Sequence, residues 1–539
     1  MESNLLFNKL EVGFMNDEKP IEKRYDIAII GAGPGGYHSA VRAAQYGARV
    51  ALIEKDKLGG TCLNRGCIPT KALLASAHYI EKIGEAEEFG VEIKDFKTNF
   101  SKVVNRKNKI VNDLGVGIAN LQKAWKNDVY IGHGKIIRGN SERGFEVLIE
   151  GVNNHEKILA KRIIIATGSA PALIPNFNVD HERILTSDDI LNPNFKTIPE
   201  RLLIIGAGSI GCEFADIFSN FGSKVTLLEY LPSPIASEEP LIIKQLQKKF
   251  SSKGINVITS QNVLSIENTG SSIKARTCPA SVPLDEIEDT EKSSFEADLC
   301  LISIGRNKVS SGLGLEELGI RVKKGVIEVD PGTLEASVNG IYAIGDVTGG
   351  LMLAHVASYE GDIAVANALS SLGQFQIKPK RTNYRVVPST IFTSPNIGSV
   401  GLKRKQAKSL GIDVFVGQFP YDSLGKARCM GEKGLLIILA DKHTLQIVGA
   451  SCIGEGASEL IAEITLAMRH GLTIEDIAHT IHSHPTLSEM VLEAAESTIG
   501  RAIHKKGRPI APKLKDLLME QLLYGTQKIR NKKIILETD

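Results

Sequence analysis

Two cysteines are the first residues to offer chemistry. Cys62 and Cys67 lie in the stretch Thr61-Cys62-Leu63-Asn64-Arg65-Gly66-Cys67-Ile68-Pro69-Thr70-Lys71. A regular helix holds Cα atoms five positions apart at roughly 8.7 Å, and a disulfide needs less than about 7 Å. If the two bond, the turn between them must be distorted. Gly66 permits unusual dihedrals, and Pro69 suits the first turn of a helix beginning there. A cysteine near a helix N-terminus also gains thiolate character. The plain alternative is two small thiols that fill space. Cys212, Cys278, Cys300, Cys429 and Cys452 are isolated, and none has metal-ligand spacing with a histidine, so they read as structural and no metal is expected.

Thiol–disulfide exchange needs a base to make the attacking thiolate and an acid for the leaving one. The stretch His482-Ser483-His484-Pro485-Thr486-Leu487-Ser488-Glu489 supplies a candidate in His484, with an acid five positions on. If Pro485 starts a helix, Glu489 falls on its first turns and can reach back to His484. A carboxylate there would fix the imidazole tautomer and raise its pKa. His482 reads as an ordinary core or surface histidine.

These residues need elements to hold them. An apolar run at 25–30 suits a buried parallel strand. It leads into Gly31-Ala32-Gly33-Pro34-Gly35-Gly36, then a helical stretch, then a second strand ending at Glu54. The pattern recurs at 202–205, with Gly206-Ala207-Gly208-Ser209-Ile210-Gly211 and a strand ending at Glu229. In both copies the acid lies 23 positions after the first glycine (31 to 54, 206 to 229). The chain therefore duplicates a βαβ dinucleotide-binding unit. Glycines 31, 33 and 36, and 206, 208 and 211, let the backbone approach a pyrophosphate. The helix N-terminus donates N–H groups, and Glu54 or Glu229 holds ribose hydroxyls. A carboxylate at 229 favours NAD over NADP, whose extra phosphate wants an arginine. Two dinucleotide sites suggest a flavin, FAD, working with NAD. Between the copies lies a helical region near 70–125. After the second copy, 268–296 reads as a polar, loop-like insertion. From about 380 the pattern changes to strands and helices without a glycine fingerprint.

Composition bounds the rest. The 539 residues exceed one core, so two to four domains are expected. The chain is 42% hydrophobic and 23% charged, with a formal net charge of +2. That balance argues against a nucleic-acid or anionic-membrane footprint. No apolar run reaches the roughly 18 residues a membrane helix needs. Residues 1–24 carry scattered acids, unlike a transit or export signal. Seven cysteines are few and odd in number, so a reducing, cytoplasmic compartment is expected.

The Cys62–Cys67 motif, the paired glycine fingerprints and the His484-Pro485-Thr486-x-x-Glu489 ending closely resemble the pyridine nucleotide–disulfide oxidoreductases, in the family's order, from about residue 25 to 502. Three further stretches are similar to the branch that oxidises dihydrolipoyl groups: Gly59-Gly60-Thr61-Cys62-Leu63-Asn64, Pro395-Asn396-Ile397-Gly398-Ser399-Val400-Gly401-Leu402, and Ala457-Ser458-Glu459-Leu460-Ile461. The resemblance implies an α/β fold of two Rossmann-like domains plus an α+β dimerisation domain. The FAD domain (25–170 and 298–370) would be split around an NAD domain (171–297). A dimerisation domain (380–504) would follow, with an extension (1–24) and a tail (505–539) at the ends. By the same resemblance, Cys62 exchanges with substrate and Cys67 faces the flavin. Lys71 sits by the flavin, paired with Glu213, and His484 is the acid–base that Glu489 orients, both lent by the other subunit of a homodimer. Thr61, Thr167, Gly168, Asp346 and Ala354 join Gly31, Gly33, Gly36, Glu54 and Lys71 as FAD contacts, with His355 nearby. Gly305 and Glu213 join Gly206, Gly208, Gly211 and Glu229 on the NAD side. The implied partners are lipoyl domains of 2-oxo acid dehydrogenase or glycine cleavage complexes.

Rival branches fit less well. A glutathione reductase is expected to carry arginines for NADP after the second fingerprint, where this chain has Glu229-Tyr230-Leu231-Pro232. A mercuric reductase or large thioredoxin reductase is expected to end in a cysteine pair, which residues 534–539 lack. A non-catalytic FAD-binding scaffold would have lost a cysteine, the lysine or the histidine. Arg65, between the cysteines, departs from the apolar residue frequent there and reads as tolerated.

Overall fold

The computed structural model describes residues 23–152, 155–283, 286 and 292–506. Most of the expected extension, 1–22, and the tail from 507, whose Leu514, Leu517, Leu518, Leu522 and Leu523 fall at helical spacing in the sequence, lie outside the described residues.

The first sheet is built on parallel strands Arg24–Ile30, Val50–Glu54 and Asp128–Ile131, with His155–Ile165 on the other side of the first. Val50–Glu54 is buried along its whole length, as an unbroken apolar run must be when helices cover both faces. Helix α1 (Pro34–Gln45) opens with Pro34 in its first turn, where the missing N–H costs nothing. Strands His133–Asn140 and Gly144–Glu150 extend the sheet antiparallel, and Ile341–Ala343 returns to pair with His155–Ile165. Helices α2 (Gly60–Arg65), α3 (Cys67–Glu85) and α4 (Phe100–Ala124) lie between the second and third strands in sequence.

The second sheet runs Asn256–Ile258, Lys224–Leu228, Arg201–Ile205, Leu299–Ile302, Ile184–Thr186, all parallel. The strand Leu299–Ile302, expected in the second part of the FAD portion, pairs instead with Arg201–Ile205. The division after 297 therefore moves beyond 302. The short helix α5 (Ser187–Ile190) follows the edge strand, α6 (Ser209–Asn220) follows the second glycine loop, and α7 (Pro240–Ser252) returns toward the sheet.

The described part of 268–296 is not loop-like; 284, 285 and 287–291, which hold most of its acidic stretch, lie outside the described residues. Gln261–Asn268, Ile273–Pro279 and Ser293–Ala297 form an antiparallel sheet. Ile273, Ala275 and Thr277 are buried while Lys274 and Arg276 point out. That is the period-two alternation of a half-buried strand, masked by its polar average. Thr269-Gly270-Ser271-Ser272 is the turn of the first hairpin.

Helix α8 (Ala354–Ser370) packs on α1 and leads to the third domain. There an antiparallel sheet, Pro388–Ile391, Ile397–Gly401, Ile447–Ile453, Leu435–Asp441, Val414–Pro420, carries helices Ala457–Arg469 and Glu489–Thr498. One apolar cluster joins all three parts: Leu73 and Leu74 of α3, Phe214 and Phe218 of α6, and Ile437 and Ile453 of the third domain. The end of α3 that bears Lys71 thus sits where three domains share a core.

Candidate active site

Helix α2 stops at Gly66, whose φ of −150° and ψ of −115° leave the helical region, and α3 begins at Cys67. A Cβ on Gly66 would lie 2.9 Å from the Thr61 carbonyl oxygen, so the chain can make this close pass only with glycine. This is the broken turn the cysteine spacing demands. Pro69 is the third residue of α3, not its start. Cys62 and Cys67 are half-buried free thiols. The Cys67 thiol is drawn down to about 7, chiefly by the neighbouring Cys62 thiol; burial opposes this and the nearby Lys71 charge assists it. Cys62 keeps the proton, pushed up by its Cys67 neighbour and by burial.

Lys71, one turn into α3, places Nζ 3.0 and 2.9 Å from the two carboxylate oxygens of Glu213 on α6. Glu213 is buried, and one of its oxygens also accepts the Phe392 backbone N–H at 3.0 Å. The Lys71 ammonium lies 4.4 Å from the centre of the Phe392 ring, close enough for a cation–π contact. Phe392 comes from the third domain and carried no signal in the sequence. Arg65 pairs with Asp56, so its charge is directed there rather than at the thiols.

The two glycine loops match atom for atom. Gly31 and Gly206 have φ of +101° and +98°, a region glycine enters without penalty. The Ala32 N–H donates to Glu54 at 2.7 Å, and the Ala207 N–H donates to Glu229 at 2.6 Å. The second carboxylate oxygen of each accepts a further backbone N–H, from Asp56 at 2.9 Å and Leu231 at 2.8 Å. Each carboxylate keeps lone pairs for ribose hydroxyls. Helices α1 and α6 begin at Gly33 and Gly208 without any side-chain cap, so their first N–H groups are open to an anion. Uncapped termini behind glycine-rich loops fit dinucleotide pyrophosphates.

Other expected residues fall around the first loop. The Thr167 hydroxyl donates to the Val309 carbonyl at 2.6 Å, and the Gly168 carbonyl accepts from Val309 N–H. Asp346 lies in the turn Gly345–Thr348 and accepts from the Ser169 hydroxyl. Ala354 opens α8, and the ring of His355 bonds to the Pro388 carbonyl at 2.9 Å. Thr61 lies in α2, its carbonyl against Gly66. Gly305, with φ of +134°, connects the second sheet back to the first portion.

His484 and Glu489 are 2.9 Å apart, Nδ1 to Oε1. The helix begins at Glu489 rather than at Pro485, which lies in the preceding turn. Glu489 also accepts the Thr486 N–H at 2.9 Å. Burial pushes its carboxyl up, but this bond and His484 outweigh it and hold the pKa below its ordinary value. The His484 side chain is 78% exposed. Its hydrogen bond within the chain is to Glu489, and none joins it to the cysteines. His482 differs: its side chain is buried and both ring nitrogens are engaged, by Glu463 and the Thr480 carbonyl.

Comparison with known proteins places this arrangement. Residues 25–361 match the family described as pyridine nucleotide-disulphide oxidoreductase, and 387–495 match its dimerisation domain. The chain belongs to that family. It is an FAD-dependent oxidoreductase that works with NAD, and its third domain is that of a homodimer. The dihydrolipoyl dehydrogenase of Bacillus subtilis is 40% identical over 485 residues, covering 89% of this chain and 99% of that one. The dihydrolipoyl dehydrogenase of Chlamydia trachomatis is 40% identical over 489 residues, 90% of this chain and 99% of that one. Among solved structures, the LpdA protein of Mycobacterium tuberculosis superposes with a TM-score of 0.80 at 26% identity, covering 88% of this chain and 99% of that one. The HOCl-induced flavoprotein disulfide reductase of Escherichia coli gives 0.75 at 29%, with the same coverage. Among the described residues, no helix is long and apolar enough to cross a membrane.

Proposed function

We propose that this protein oxidises dihydrolipoyl groups to the cyclic disulfide while NAD is reduced, with Cys62 and Cys67 as the working pair. A substrate thiolate attacks Cys62 of the Cys62–Cys67 disulfide, forming a mixed disulfide and releasing Cys67 as a thiolate. The second substrate thiolate then attacks its own bonded sulfur, closing the lipoyl ring and releasing Cys62. His484 of the partner subunit, held by Glu489 in the tautomer that leaves Nε2 free, takes the first substrate proton, gives it to Cys62 as that sulfur leaves, and holds the second. Lys71, fixed by Glu213, stabilises the Cys67 thiolate. The chemistry FAD supplies when bound is two-electron transfer between this dithiol and NAD.

Gly31, Gly33, Gly36, Glu54, Thr61, Lys71, Thr167, Gly168, Asp346 and Ala354 would hold FAD. Gly206, Gly208, Gly211, Glu213, Glu229 and Gly305 would serve NAD. The substrate is carried by the lipoyl domains of a 2-oxo acid dehydrogenase or glycine cleavage complex in the cytoplasm. The observation that carries the reading is the helix break at Gly66, which sets two neighbouring thiols beside the Lys71–Glu213 pair.

The test is NADH formation from dihydrolipoamide by the purified flavoprotein, run beside NADPH with oxidised glutathione. Turnover in the first and silence in the second is expected; the reverse rejects the substrate. In His484→Ala, turnover is expected to fall about 10²- to 10⁴-fold. Near-normal turnover in that variant sinks the acid–base role.

A further inference from the structure

Helix α6 carries a second buried carboxylate. Asp216 lies three positions after Glu213, on the same helix face, and is fully buried. It repeats what Glu213 does, one turn on. Glu213 accepts the Phe392 N–H, and Asp216 accepts the Ser394 N–H at 2.8 Å. Phe392 and Ser394 lie two positions apart in the bend that follows Pro388–Ile391, so one short segment engages both carboxylates. Glu213 takes its cation from α3, in Lys71; Asp216 takes its cation from the end of α7, in Lys253. Lys253 also bonds Glu81 of α3 at 2.8 Å, and Lys249 of α7 bonds Glu81 at 2.6 Å. His78 of α3 lies 3.6 Å from Asp216. The Asn220 side chain, on α6 itself, adds a bond at 3.3 Å. The groups facing Asp216 are thus His78 and Glu81 from α3, Lys249 and Lys253 from α7, the Ser394 N–H from the third domain, and Glu213 and Asn220 from its own helix.

We propose that Asp216 is a positioning residue for the cysteine pair: it locks α6 against α3, α7 and the 392–394 segment, and so fixes the Glu213 carboxylate that aims Lys71 at Cys67. The inference rests on the reading of Cys62 and Cys67 as the working thiols. Asp216 touches neither thiol and acts through Glu213. That indirect route has a sign of its own. Neutralising a nearby acid by field alone would make a thiolate easier to form. Loosening Lys71 makes it harder.

The measurement is iodoacetamide alkylation of Cys67 against pH, by peptide mass spectrometry, in the dithiol-reduced, FAD-loaded full-length dimer. Alkylation follows the thiolate fraction. In Asp216→Asn the midpoint is expected to rise by about half a pH unit, a roughly threefold slower reaction below it. A midpoint that stays or falls, with circular dichroism and flavin content intact, overturns the proposal. If Asp216→Asn does not fold, the double variant Asp216→Asn with Lys253→Gln leaves no uncompensated buried charge at that pair and is judged by the same shift. The unsubstituted protein separates the two readings. A Cys67 that shows no pH-dependent alkylation there defeats the thiol assignment and this inference together, whereas an unmoved midpoint in the variant defeats this one alone.

Discussion

The two glycine loops share one geometry but differ in what stands over them. At the first, the Gly59 N–H donates to the Ala32 carbonyl at 2.8 Å; at the second, the Ile235 N–H donates to the Ala207 carbonyl at 2.9 Å. The same carbonyl is engaged in both. Over the first, the engaging segment is the start of the cysteine-bearing helix. Gly60 packs so closely that a Cβ on it would sit 2.6 Å from the Gly33 Cα. Over the second, the segment is a turn with Tyr230 and Leu231 exposed, and a Cβ on Gly208 would meet nothing within 4 Å. Duplication preserved the cradle and left its cover free to change. A covered cradle welded to the redox pair suits a resident cofactor, and an open one suits a cosubstrate that must enter and leave.

The sharpest way to break this comparison is to damage both loops alike. A Cβ on Gly36 would lie 1.8 Å from the Gly31 carbonyl oxygen, and one on Gly211 would lie 1.9 Å from the Gly206 oxygen. Gly36→Ala is expected to purify colourless and without turnover. Gly211→Ala is expected to stay yellow, with its KM for NAD raised by about tenfold or more. Equal loss of flavin absorbance in both would erase the distinction. Next in size, Cys67→Ser should keep its flavin while dihydrolipoamide turnover falls on the order of 10³-fold or more; a variant that also loses flavin would mean that the thiol, not the loop, secures the cofactor. The smallest effect belongs to Glu229→Gln. Losing a charged acceptor there is worth about 1.4 kcal/mol, or about tenfold in KM for NAD, and an unchanged KM would remove Glu229 from the nicotinamide side.

Local spacing was legible in the sequence; what distant segments bring was not. The glycine turns, Glu54 and Glu229 depend on contacts within one βαβ unit, so a pattern 23 positions long could reveal them. The Lys71–Glu213 contact crosses domains and was reachable only through resemblance. Phe392 and Asp216 show the limit: each acts through a segment far away in the chain, and neither residue type signals chemistry alone. Leu299–Ile302 reads as a strand from its residues, yet its sheet is decided by parallel pairing with a strand almost a hundred positions earlier. The hairpin after 268 was hidden because small or polar residues, Ala275 and Thr277, fill its buried face. Proline suits the first turn of a helix, yet the helix begins only at Glu489, beyond Pro485.

The bonds from Ala32 to Glu54 and from Ala207 to Glu229 also bear on how fast a dinucleotide can settle. Freezing one residue's backbone costs about 1–2 kcal/mol, and a loop that ordered only on contact would subtract this from each affinity. Here the acid at the end of the second strand draws the loop amide into place as the chain folds. The entropy is lost before any ligand arrives, so each dinucleotide meets a receptacle that is already rigid. Its capture is then governed by encounter and desolvation, not by waiting for a loop to close.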